Sequence, residues 1–305
     1  MKLNDIDGGD TMFKMKGVNP PMLTPFTEDG QVDYEGLQTL VSFLKDRVDG
    51  VFITGSYGCG ALMSLEERKM VTEITMKAAA GKISVIVMVG TTNNRETIEL
   101  AKHAEAAGVD AVCAVGPYYF THNDDSICYF FEDLVKSVKN IPVYVYNNPK
   151  FQGYPMSLKV LQRMKALGVN GIKDATFDIL THATYHRVLK DANFDIVLGT
   201  EAMWLSARAL GTEAFIPGLA NAFPEICQKM YQEGMAGDYE ACRQTQFEVN
   251  KMRDIMYLAK STQLAIYAML EVRGVLKCYP RAPFIPATDA EKQAIRAELL
   301  KMGAL

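Results

Sequence analysis

Lys173 closes an apolar run, Gly171-Ile172-Lys173-Asp174-Ala175-Thr176, and a second segment, Val143-Tyr144-Val145-Tyr146-Asn147-Asn148-Pro149, lies about one strand-and-helix unit upstream. A lysine where a buried strand emerges has a reason to lose its proton, because burial penalises the ammonium form. The neutral amine is a nucleophile toward carbonyls, and the protonated imine it forms is an electron sink for making or breaking a neighbouring carbon–carbon bond. At the ordinary lysine pKa of about 10.4 only about 1 amine in 2,500 is neutral at pH 7, whereas a pKa of about 7–8 makes that form abundant. The pair of segments points to Schiff-base chemistry. Other readings stay open on the residues alone. Lys173 could be a strand-end lysine paired with Asp174, Lys150 is the nearest competing amine but falls in a loop pattern, and Tyr146 could be a strand tyrosine whose hydroxyl caps a backbone group.

Such groups need a scaffold. Short apolar runs at about 18–24, 51–54, 83–89, 111–115, 142–146, 170–173, 195–199 and 214–218 alternate with amphipathic stretches. That alternation predicts a parallel sheet with crossover helices. Helix starts fall near Tyr34, Leu65, Asn94, Asp125, Ser157, Asp178, Glu201 and Phe223, and Ser64 with Glu67 has capping-box spacing. Eight such units predict an α/β fold, a (β/α)8 TIM barrel, over residues 17–235. An open doubly wound sheet would want a glycine-rich turn after its first strand, and Thr24-Pro25-Phe26-Thr27-Glu28-Asp29-Gly30 does not supply one. Helical patterns around 237–258, 261–273 and 289–302 predict a C-terminal helical bundle, residues 236–305, packed on the barrel, and polar residues 1–16 read as a mobile tail.

Composition narrows the partners. The 305 residues carry 32 basic and 36 acidic side chains, a net charge of −4, with no basic block to track a phosphate backbone, so nucleic acid is not expected. No run approaches a membrane span and no secretory h-region precedes the barrel, so the expectation is a cytoplasmic protein without membrane attachment. Six cysteines without a CxxC pair read as reduced core residues. His182 and His186, four apart on a helix, read as surface residues and not as a zinc pair, and no metal or other cofactor is expected.

In a barrel of this kind the chemistry gathers at the C-terminal ends of the strands. Those ends read Thr54-Gly55-Ser56-Tyr57-Gly58-Cys59-Gly60, Gly116-Pro117-Tyr118-Tyr119, Tyr146-Asn147, Lys173-Asp174, Gly199-Thr200-Glu201 and Pro217-Gly218. In this order the motifs resemble the dihydrodipicolinate synthase and N-acetylneuraminate lyase family of class I, Schiff-base-forming aldolases, from about residue 17 to Pro283-Phe284-Ile285-Pro286 and the C-terminus. The resemblance implies that Lys173 forms an imine with pyruvate or another 2-oxo acid. It makes Tyr146 the proton shuttle, with Ser56 and Tyr119 completing a hydroxyl relay, and it implies a homo-oligomer, dimer or tetramer, in which a neighbouring subunit often donates the tyrosine matching Tyr119. Backbone N–H groups of the turn from Gly55 to Gly58 suit the substrate carboxylate.

Departures from the family pattern bear on the substrate. Where members usually have Gly-Thr-Thr-Gly-Glu or Gly-Ser-Thr-Gly-Glu, this chain has Gly55-Ser56-Tyr57-Gly58-Cys59, so a phenol replaces the second hydroxyl. Lysine-pathway synthases resemble each other in an arginine where this chain has Phe151, which cannot grip a carboxylate with a bidentate fork. Neuraminate lyases usually have Asp-Glu where this chain has Glu201-Ala202. With Tyr57, Phe151, Gly199, Thr200, Glu201, Trp204 and Gly218 as candidate lining, the expected substrate is a 2-oxo acid with a less charged tail, such as a 2-oxo-3-deoxy sugar acid or an aryl-bearing aldol, cleaved or dehydrated. The alternatives are 4-hydroxy-tetrahydrodipicolinate synthase activity, condensing pyruvate with aspartate semialdehyde, and a barrel that binds a 2-oxo acid without turnover.

Overall fold

The computed structural model describes residues 12–305. Eight parallel strands form a single curved sheet: β1 (Gly17–Val18), β2 (Gly50–Ile53), β3 (Ser84–Met88), β4 (Ala111–Val115), β5 (Val143–Asn147), β6 (Gly171–Asp174), β7 (Asp195–Leu198) and β8 (Ala214–Phe215). Each strand pairs with the next from β2 to β8, and β8 returns to pair with β1. The ring closes through Phe52, whose N–H donates to the Pro20 carbonyl and whose carbonyl accepts from Met22 N–H, both at 2.9 Å. This is the expected TIM barrel. The sequence pattern predicts a first strand over 18–24, but ladder pairing ends at Val18, because Pro20 and Pro21 have no N–H to offer.

Helices α1 (Tyr34–Leu44), α2 (Leu65–Ala79), α3 (Asn94–Ala106), α4 (Asp124–Ser137), a single-turn α5 (Pro149–Gln152), α6 (Leu158–Ala166), α7 (Ile179–Val188), α8 (Trp204–Ala209) and α9 (Pro224–Met235) follow the strands. Their starts are set by short polar side chains that accept from orphan N–H groups of the first turn, among them Asp33, Asn93, Asn123, Ser157 and Asp178. Ser64 and Glu67 form the expected capping box. Three further helices, α10 (Tyr239–Met256), α11 (Thr262–Val272) and α12 (Asp289–Lys301), pack on one another, with α10 against α8 and α9. Among the described residues no helix is long and apolar enough to cross a membrane.

Because side chains alternate along a strand, each barrel strand serves two layers. Val51, Val145 and Ile172 face the helices, whereas Phe52, Ile86, Cys113, Tyr144, Tyr146 and Val197 fill the barrel interior. Toward the N-terminal end the interior is sealed by Met15, whose N–H lies 3.2 Å from Tyr144 Oη and 3.1 Å from Asp195 Oδ2. Of the expected tail at 1–16, residues 1–11 lie outside the described residues.

The lone tryptophan is not a cavity wall as its position near strand seven leads one to expect. Trp204 is fully buried, stacks on Phe215 at 4.7 Å between centroids, and donates Nε1–H to the Met230 carbonyl at 3.0 Å. It joins α8, β8 and α9. Trp204→Ala leaves a large void there, and chemical denaturation should show a loss of about 3–5 kcal/mol.

Candidate active site

Tyr146 and Lys173 are Cα partners in the β5–β6 ladder, so the period of two turns both side chains into the barrel at the same height. Lys173 Nζ lies 3.7 Å from the Phe52 ring centroid and 4.0 Å from that of Tyr146. Both residues are buried, and burial drives the Lys173 pKa down to about 7, with the Cys113 thiol opposing that shift slightly. The same burial raises the Tyr146 pKa, so the phenol keeps its proton at neutral pH. Asp174 does not pair with Lys173. It points to the opposite face, where Oδ2 lies 2.8 Å from His182 Nδ1 and Oδ1 accepts from Thr176 N–H and Oγ1–H at 3.0 and 2.7 Å.

The Tyr146 hydroxyl is held by two neighbours. Asn148 Nδ2 donates to it at 3.0 Å, and Ser56 Oγ stands 3.4 Å away. With Asn148 occupying a lone pair, the phenolic proton is directed to Ser56 or into the cavity. Asn148 also caps α5 by accepting from Phe151 N–H at 3.2 Å. The Tyr-Asn-Asn-Pro segment drew attention to this region, but the bond from Asn148 depends on the bend after β5. Asn147, one residue earlier, turns outward and donates to Tyr185 Oη at 3.0 Å.

Ser56 is placed by a tight turn. Thr54 and Cys59 both have φ of 54°, and a Cβ at Gly60 would meet the Thr54 carbonyl oxygen at 1.8 Å. Glycine is needed there for close backbone approach. No acceptor among the described residues takes the N–H of Ser56 or Tyr57. Tyr57 Oη donates to Thr262 Oγ1 at 2.9 Å, and a Cβ at Gly218 would lie 2.8 Å from that hydroxyl. The phenol in the turn and the glycine after β8 therefore fit one another.

A cavity of about 740 Å³ opens above Lys173 and is lined by Ser56, Tyr57, Tyr146, Phe151, Gly199, Thr200, Glu201 and Gly218 among others. A Cβ at Gly199 would meet the Asp174 carbonyl oxygen at 2.6 Å, so that position too needs glycine. Arg253 lines the same cavity, and sequence reasoning missed it. It sits on α10, 80 residues beyond Lys173 and in no recognisable motif. A second, apolar cavity of about 330 Å³ shares Ser56, Tyr146 and Phe151 with the first and adds Gly55, Val115, Tyr118 and Phe284.

Tyr119 reaches neither cavity of its own chain. It is 84% exposed at a φ of 78°, edge-on to Phe120 at 4.9 Å. The expectation of surface histidines is corrected. His182 is fully buried between Asp174 and Thr212, and His186 bonds the same Thr212 hydroxyl at 2.8 Å. Among the described residues no three His, Cys, Asp or Glu side chains group as a metal site.

Residues 14–302 match the model of the dihydrodipicolinate synthetase family. The chain is 29% identical to a 4-hydroxy-tetrahydrodipicolinate synthase of Methanosarcina barkeri, over 95% of this chain and 99% of the relative. Its fold is similar to that of a catalytic lysine mutant of the Ruminococcus gnavus sialic acid aldolase, with a TM-score of 0.90 and 27% identity over 95% of this chain and 96% of that one. It is also similar to a prophage protein of the dihydrodipicolinic acid synthase family from E. coli K12, solved with pyruvate, with a TM-score of 0.90 and 25% identity over 95% and 99% of the two chains. The chain belongs to the dihydrodipicolinate synthetase family, a family of lyases and aldolases.

Proposed function

We propose that this protein is a class I lyase or aldolase that forms an imine between Lys173 and a 2-oxo acid, pyruvate or a 2-oxo-3-deoxy sugar acid. The observation that carries this reading is a buried lysine in register with a buried tyrosine, its amine enclosed by two aromatic rings. The neutral amine attacks C2 of the oxo acid, and the carbinolamine loses its oxygen as water. The resulting iminium takes up the electron pair of the C3–C4 bond while the C4 hydroxyl gives up its proton and leaves as an aldehyde. Protonation of the enamine at C3 and hydrolysis return the free lysine. Tyr146, with its proton aimed toward Ser56 and the cavity, is placed to serve each proton transfer. The N–H groups of Ser56 and Tyr57 supply donors for the substrate carboxylate. Synthase activity would need a grip on the carboxylate of aspartate semialdehyde. Phe151, half exposed at the rim, cannot make one.

We further propose that the apolar cavity beside Ser56 and Tyr146 receives Tyr119 from a second copy of the chain. Among the described residues the exposed ring lines neither of the two cavities above, and the receiving cavity is apolar and borders the hydroxyl pair. The assembly would be a homo-oligomer, dimer or tetramer.

Borohydride reduction in the presence of pyruvate should leave an adduct that peptide mapping places on Lys173 and that Lys173→Ala lacks. No adduct, or one on another lysine, would reject the imine reading. The rate of trapping at subsaturating pyruvate should fall about tenfold per pH unit below about pH 7, where the amine is protonated, and level off above it.

Stability should change in the pH window above that one. The folded pKa lies below the ordinary lysine value of about 10.5, so between about pH 7 and 10.5 the unfolded chain binds more protons and wild-type stability rises with pH. Lys173→Met should therefore stabilise the fold, by on the order of 2–4 kcal/mol at pH 7, with a gain that shrinks toward pH 10.5 in denaturant titrations.

Donation of Tyr119 across an interface is tested by complementation. Tyr119→Phe and Lys173→Ala should each be impaired alone. Unfolded together and refolded as mixed dimers, they should recover roughly a quarter of wild-type activity, because half the dimers are mixed and each holds one complete site. No recovery despite mixed dimers would mean that Tyr119 does not act across the interface, and an unimpaired Tyr119→Phe would place it outside the relay.

A further inference from the structure

The proton chemistry assigned to Tyr146 passes through a phenolate. When the carbinolamine on Lys173 loses its hydroxyl as water, the second proton of that water comes from the phenol, leaving an iminium and a phenolate. The phenolate then takes a proton from C3, the C3–H electron pair becomes the second C2–C3 bond of the enamine, and the phenol is restored. That anion forms in a poor place for a charge. Tyr146 is 5% exposed and burial raises its pKa, with hydrogen bonds from Ser56 and Asn148 opposing the rise. Apart from Lys173, the cations that line the cavity are engaged elsewhere or lie in water. Arg253 on α10 donates Nη1–H to Glu201 Oε1 at 2.8 Å and to Thr200 Oγ1 at 3.1 Å, Lys260 pairs with Glu291 at 3.1 Å, and Lys150 is exposed.

Asn148 is the fixed donor. Among the described residues the phenol oxygen has two partners, Asn148 Nδ2 at 3.0 Å and Ser56 Oγ at 3.4 Å. The serine hydroxyl can turn either way, whereas the amide cannot. Phe151 N–H can only donate, so the atom it meets at 3.2 Å is Oδ1, and the end of the amide that faces Tyr146 is the NH2 group. The backbone is held in turn. Asn148 N–H donates to Gln152 Oε1 at 3.2 Å, and Gln152 Nε2 donates to Asn147 Oδ1 at 3.0 Å and to the Tyr154 carbonyl at 2.7 Å. One buried side chain thus caps α5 with its oxygen and meets the phenol with its nitrogen. A donor set in place beforehand needs no rearrangement when the charge appears.

We infer that Asn148 is a positioning residue for the reaction: its amide N–H steadies the phenolate of Tyr146 and keeps the phenolic proton on the side of Ser56 and the substrate. This rests on the imine reading and adds to it a group that acts through Tyr146.

The step can be followed without a second substrate, as exchange of the pyruvate methyl protons in D2O watched by proton NMR. Asn148→Thr keeps a capping oxygen on a side chain too short to reach the phenol. Asn148→Asp keeps the size and the cap but turns an acceptor toward Tyr146. At saturating pyruvate, exchange should fall about 10- to 100-fold in Asn148→Thr, the loss expected for a hydrogen bond to a charged group. It should fall further in Asn148→Asp, whose negative charge opposes the phenolate. The yield of borohydride adduct on Lys173 after equilibration with pyruvate should stay unchanged in both, as should circular dichroism and the thermal midpoint. Tyr146→Phe should slow exchange, and adding Asn148→Thr to it should slow it no further, since the amide then has no phenol to serve. Exchange at the unmutated rate in both Asn148 variants would overturn the inference. So would an adduct yield that falls in step with exchange, or full additivity with Tyr146→Phe, either of which marks a merely structural residue. An unmutated protein that gives no adduct would fail the imine reading itself, and this inference with it.

Discussion

The site depends on keeping one amine inside a barrel without a counter-ion. Water would hold Lys173 as an ammonium, and a carboxylate beside it would do the same. The fold leaves Lys173 only 2% exposed and places no carboxylate beside it among the described residues. Phe52 and Tyr146 lie 3.7 and 4.0 Å from Nζ, and the nearest acid in sequence, Asp174, is directed to the other face of its strand. Ring faces partly favour a cation. Burial disfavours it, and the pKa falls to about 7. The burial that costs the fold stability is what makes the amine available as a nucleophile near neutral pH.

The C-terminal helices do more than cover a barrel. Gln263 on α11 donates to the Tyr57 carbonyl at 3.1 Å, bracing the turn that presents Ser56. Tyr267 Oη on the same helix donates to the Thr24 carbonyl at 2.7 Å, and Thr24 Oγ1 in turn holds the Gly58 carbonyl at 2.7 Å. Through α10 the same bundle delivers Arg253. Residues near 55, near 200 and beyond 250 are thus tied together by hydrogen bonds around the cavity. Its geometry cannot be assigned to the barrel alone.

What could be read beforehand follows from the range of the interactions. The strand and helix pattern, the Ser64 cap and the alternation that puts Tyr146 and Lys173 on one face are local, set by spacings of two to four residues. The single-turn helix α5 has the sequence pattern of a loop, because four residues carry no helical period. The place of His182 escaped the pattern because its partner acid lies on a strand and its second partner, Thr212, lies beyond the next one. Trp204 and Arg253 escaped for the same reason, since burial against α9 and reach from α10 are tertiary facts that no short window encodes.

Strand β6 shows how tightly these demands are coupled. Ile172 packs outward into the helix layer, Lys173 points inward to the cavity, and Asp174 points outward to fix the following loop through Thr176 and to meet His182 on α7. A slip of one residue in the pairing of β6 would put the carboxylate inside and the amine among the helices, reversing every role at once. The outward groups oppose that slip: Ile172 has an apolar layer to fill, and Asp174 has three polar partners to lose. The residues on either side of Lys173 therefore decide that its amine faces the cavity.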